Sequence, residues 1–227
     1  MGFGAFLTGI VGPVVTVITN CSSAIGTALT NLARTIVVNG PKIEMILRVI
    51  SAAVETLSQI FGLINKDETA EDLGAKAAES DKSAEEFQST EDYIQYLREE
   101  VQLDAEKMKN LKPEERMAYT AIGTAILAKG IEEKAEISIP ADFWVEVGKQ
   151  NMKAEEVKAY IEQFKVNGFE ELKLSDYLKG NLSISENKQI ASIMESTLKE
   201  LNSELSAEEI QEKMMEMKQI SNETEGR

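Results

Sequence analysis

Between Gly2 and Ala33 the chain carries no charged side chain, in a protein of formal net charge −15. Few environments accept such a segment: the protein's own interior, an interface with another chain, or a lipid bilayer. The rest of the fold has to accommodate that stretch.

Its apolar residues recur at helical spacing. Val14, Ile18, Cys21, Ile25, Ala28, Leu32 and Ile36 follow steps of about four and three, which places them along one side of a helix. The other side holds Thr16, Thr19, Asn20, Ser23, Thr27, Thr30 and Asn31, polar but uncharged. Gly12-Pro13 predicts a helix start near Pro13, where a missing N–H does no harm. Asn39-Gly40-Pro41 predicts the stop. A second helix opens at Pro41 and carries Ile43, Leu47, Ile50, Val54, Leu57, Phe61 and Ile64 in the same rhythm. So short a turn predicts an antiparallel helical hairpin over residues 1–65. Ahead of it Phe3, Phe6, Leu7, Ile10 and Val11 form a separate apolar tip.

Charge divides the chain. Arg34, Lys42 and Arg48 against Glu44 and Glu55 leave residues 1–65 at +1, so residues 66–227 hold −16 of the total of −15. Residues 66–89 are small and acidic, the composition of a mobile linker with one short helix at 69–79. Residues 90–221 predict an acidic multi-helix domain. Its short helices fall near 90–101 and 104–110, and Pro113 opens a longer, central one with Ala118, Ala121, Ala125 and Ala128 on one side. Pro140 opens another, through Phe143 and Trp144, which are read as core anchors. Further helices are expected near 154–165 and 175–180. Two final stripes are formed by Ile190, Met194, Leu198, Leu201 and Leu205, and by Ile210, Met214 and Met217. Residues 222–227 are predicted to fray. Few aromatics, four Pro and frequent Ala, Glu, Lys, Leu and Met make the fold class all-α.

Composition also removes chemistries. Without histidine there is no imidazole base, no Ser-His-Asp or Cys-His pair and no His metal ligand. A single cysteine gives neither an internal disulfide nor a thiolate zinc cage. The stretch from Asn65 to Lys76 fails as a calcium loop, with Ala70 where glycine is required and Lys76 where a bidentate Glu is required. No Gly-rich phosphate loop is present. The paired carboxylates Glu99-Glu100, Glu114-Glu115, Glu132-Glu133 with Glu136, and Glu170-Glu171 lie beside lysines. That is the pattern of a solvated, salt-bridged surface and not of an acid–base pair. No catalytic residue, metal or cofactor is therefore expected. An acidic body without a basic stripe disfavours nucleic acid.

Two functional readings follow. GFGAFLTGIVG resembles viral fusion peptides in composition over those eleven residues, which implies competence to enter a bilayer. Ile18-Thr19-Asn20-Cys21 resembles a lipid-attachment box, but Asn20 is large for it and no basic residue precedes the apolar run. A Thr/Ser/Asn face suits close packing between helices. The expectation is a non-enzymatic helical structural protein, cytoplasmic or part of a multiprotein particle. Its hairpin self-associates into a homo-oligomer or docks into a larger complex. The alternative is a membrane-inserting or pore-forming toxin or effector that meets the lipid bilayer through residues 1–65.

Overall fold

The computed structural model describes residues 3–38 and 43–223, with side chains from Ile10 onward. These residues form twelve α-helices and no strand, so the protein is all-α. The helices are α1 (Phe3–Asn20), α2 (Ser22–Val38), α3 (Ile43–Ile60), α4 (Ala70–Glu79), α5 (Thr90–Glu100), α6 (Ala105–Lys109), α7 (Pro113–Ala135), α8 (Ala141–Lys149), α9 (Ala154–Val166), α10 (Leu174–Lys179), α11 (Ile184–Leu201) and α12 (Ala207–Glu223). A 3-10 turn at Ala84–Glu86 precedes α5. Short polar side chains set several starts: Thr69, Ser89, Asp104 and Ser183 accept hydrogen bonds from first-turn N–H groups of α4, α5, α6 and α11.

The centre is α7. Ala118, Tyr119 and every residue from Ala121 to Ala128 are buried, so this helix is covered on all sides, as an apolar helix must be. Helices α1 to α5 all pack against it. The closest approach is to α4. A Cβ on Gly74 would fall 1.9 Å from the Tyr119 carbonyl oxygen, and one on Gly123 would fall 1.8 Å from that of Ala70. The two backbones touch through paired glycines, with no room for a side chain between them. A second tier is tied on by α3, which also packs against α8 and α9; α9 meets α11, and α10 and α11 meet α12. One continuous apolar core runs from Val14 to Met217.

Several local expectations are corrected. Pro13 lies inside α1 and does not start it; proline removes one ladder bond, and Val14 and Ile18, fully buried just after it, hold the helix in place. The helix expected from Pro13 to Ile36 is interrupted at Cys21 and again at Gly26, whose φ of 78° and ψ of 166° are non-helical. The antiparallel hairpin is replaced by a sheath: α2 and α3 meet, yet both also pack on α7 and α8. Within the acidic stretch 66–89, the short helix expected at 69–79 is α4, and its Ala70, Leu73, Gly74, Ala75 and Ala77 are buried. Packing therefore does not part there. At the C-terminus α12 continues to Glu223, with Ser221 buried and the Asn222 amide donating to the Leu178 carbonyl at 3.1 Å. The expected Asn39-Gly40-Pro41 stop, the last four residues of the expected tail, and the side chains of Phe3, Phe6 and Leu7 lie outside the described residues.

Two measurements check this packing. Gly123→Ala is expected to lower stability by about 3 kcal/mol, read as a fall in Tm of roughly 10 °C. At the start of α11, the Glu186 carboxylate accepts from Lys173 Nζ at 2.8 Å, from the Ser183 hydroxyl at 2.7 Å and from the Ser183 N–H at 3.2 Å. These contacts, the lysine first, hold its pKa down to about 2 from 4.5. A depressed folded pKa stabilises the protein above the ordinary carboxylate range, and that contribution is lost as pH falls from 4.5 towards 2. Thermal melts of the wild type and Glu186→Gln should differ at neutral pH and converge at the acid end.

Candidate functional site

The predicted face is spent within the chain. Val14, Ile18, Ile25, Ile36, Ile43, Leu47, Ile50, Val54, Leu57 and Ile64 are at most 6% exposed and belong to the common core. Cys21, Leu32, Phe61, Ile10 and Val11 are partly buried against it. The seam also changes phase at Gly26. Beyond it Leu29, Thr30 and Ala33 are buried, whereas Ala28, expected on the seam, is exposed. A residue off the helical path rotates everything after it, so a constant period carried across it names the wrong face.

What faces outward is the uncharged strip. Gly12, Pro13, Thr16, Thr19, Asn20, Ser23, Thr27, Ala28 and Asn31 are exposed. The Thr16 hydroxyl donates to the Gly12 carbonyl at 2.9 Å and that of Thr19 to Val15 at 2.8 Å. Donors turned back into the helix leave methyl groups outward, so the strip is less hydrophilic than its composition suggests.

The break in α2 is held from outside. The Thr27 N–H donates to Glu85 Oε1 at 3.1 Å, and the Tyr93 hydroxyl donates to the Ala24 carbonyl at 3.2 Å. Helix ends left without intrahelical partners need such groups. Tyr93 is fixed by Phe87, whose ring centroid lies 5.2 Å away and which also meets Tyr96 at 5.1 Å. Beside the break Cys21 is half-buried; desolvation first, then the Glu79 carboxylate, pushes its thiol pKa up, against Lys107. Burial likewise raises Tyr93 and Tyr119. At neutral pH these groups stay protonated, so the cluster offers no nucleophile.

Comparison with protein-family models, with curated proteins and with solved structures finds no match, so geometry alone supports a functional reading.

The carboxylate clusters are occupied. Glu132 accepts from the Ile139 N–H at 3.0 Å and pairs with Lys129. Glu133 accepts from the N–H and hydroxyl of Thr90 at 2.8 and 2.7 Å. Glu136 pairs with Lys165 at 2.9 Å, which lowers its pKa. With Glu170 they border an open groove beside Phe169, yet no carboxyl here is raised as a general acid must be. Among the described residues no three acidic, Cys or His side chains are grouped to hold a metal. Met214 and Met217 are buried and Met215 is 64% exposed, so the three share no groove. Phe143 and Trp144 are fully buried, with their rings edge to face at 5.4 Å.

Sequence reasoning missed one buried polar group. Glu146 is 0% exposed. Lys149 Nζ lies 3.4 Å from its Oε1 and donates to the Ser221 carbonyl at 3.3 Å. The Gln150 amide donates to Glu146 Oε2 at 3.4 Å and to the Met217 carbonyl at 2.9 Å, joining α8 to α12. A Glu-Lys pair three apart resembles a surface pair; the available signal was its place within the apolar run Phe143–Val147. The long contacts and the absence of a cavity make this a structural clasp. Lys149→Met is expected to lose about 3 kcal/mol by stranding a buried carboxylate. The double variant Glu146→Gln/Lys149→Met should regain most of it, as read by chemical denaturation.

Proposed function

We propose that the protein is a non-enzymatic helical assembly protein that joins a second copy of itself through the outward face of α1 and α2. The observation that carries this reading is the uncharged strip from Gly12 to Asn31, outward-facing on a body of otherwise acidic surface. Two copies approaching by most other faces bring like charges together, which repels. The strip is where that repulsion is least, and its back-bonded threonines are easily desolvated. The non-enzymatic part is supported by carboxylates already paired or capped and by a thiol kept protonated. The reading puts the protein in the cytoplasm or in a multiprotein particle.

Lipid is the weaker partner. The apolar seam that would enter a bilayer is already covered by the chain's own core. Among the described residues no helix is long and apolar enough to cross a membrane.

Light scattering across a concentration series tests this. The full chain should form dimers or larger species. Thr16→Glu/Thr19→Glu, placed on exposed positions, should weaken association at least tenfold, since like charges facing across an interface cost several kcal/mol. Helical circular dichroism should not change. A full-length protein that stays monomeric, or one that floats with neutral phospholipid vesicles, would overturn the reading.

A further inference from the structure

We infer that residues 21–26 are a hinge, and that Glu85 and Tyr93 form the latch that keeps it shut. When the latch opens, α1 leaves α7 as a unit and its buried seam, Val14 and Ile18 above all, becomes available to a second copy. The availability to a second copy rests on the self-association reading; the hinge does not.

The hinge is built into the backbone. Gly26 occupies a region of φ and ψ open essentially to glycine alone, so α2 is two half-helices meeting at a joint. Cys21, one turn earlier, separates α1 from α2. Two joints within six residues leave α1 connected to the body by a jointed strap and not by a stiff rod. Its principal contacts are with α2 and α7.

The latch comes from elsewhere in the chain. The two backbone groups opened by the joint, the Ala24 carbonyl and the Thr27 N–H, are satisfied by Tyr93 and Glu85, 69 and 58 residues away in sequence. Both latch residues lie on one segment, the 3-10 turn and the start of α5. Glu85 presses on the joint itself, since a Cβ on Gly26 would fall 2.8 Å from its Oε1. An ordinary helix cap is local; here both ends of a break depend on one remote segment, so losing that segment's grip frees both ends together. Each bond lost should raise the open population about tenfold.

Cys21 is the only cysteine in the chain and sits on the joint. Its thiol senses Glu79 of α4 and Lys107 of α6, so it faces the body and is uncovered when α1 leaves. Maleimide labelling of Cys21 in the dilute full-length protein therefore reports opening in the monomer. Tyr93→Phe and Glu85→Ala should each raise the labelling rate about tenfold, and Glu85→Gln, which keeps an acceptor oxygen, should raise it less. Amide exchange in α11 and α12 should be unchanged, which separates hinge opening from global unfolding. An unchanged rate in the double variant Tyr93→Phe/Glu85→Ala, or a rise matched by lost protection in α11, overturns the hinge. Light scattering on the same variant is the second arm, with association expected at about tenfold lower concentration. Faster labelling with no association upholds the hinge and overturns the self-association reading.

Discussion

The fold depends on the contact between α4 and α7. Gly74 and Gly123 let two backbones touch, and that contact holds α4 so close to α7 that the acidic segment around it cannot swing free. With α4 seated, α1, α2, α3 and α5 take up the remaining sides of α7. An apolar helix of this length has to be covered on every side. Here the covering is supplied largely by the charge-poor N-terminal third, so what looks by composition like a separate module is part of the central core.

That arrangement fixes what is left for function. Once the seam of α1 and α2 is turned inward, the side available to partners is the threonine, serine and asparagine strip. Strip and seam are two faces of the same helices, and the joint at Gly26 decides which residue belongs to which. Glu85 and Tyr93 link that joint to the acidic segment. The state of the N-terminal helices is thereby coupled to the part of the chain that carries the charge.

The second tier is held by different means. Helices α8 to α12 share aliphatic and aromatic packing around Phe143, Trp144, Tyr160 and Phe164, all nearly fully buried. They are also clasped by Glu146, Lys149 and Gln150. Buried ionic clasps contribute less net stability than apolar packing of the same volume, but removing one partner is costly. The clasp ties α12 to one register against α8.

The all-α class and the short helices of the acidic half were legible in the sequence, because apolar period, capping side chains and proline positions are local signals. So was the choice of Val14, Ile18, Ile25 and Ile36 as residues that need covering. The broken register after Gly26, the inward use of the seam, the packing of α4 within a composition typical of linkers, and the burial of Glu146 were not legible. Each depends on a group far away in the chain: Glu85 against Gly26, Gly123 against α4, the Ser221 carbonyl against Lys149. Sequence period determines which side of a helix is apolar. Only the tertiary structure decided what covers that side, because the covering is set by which backbones can approach closely enough to exclude water.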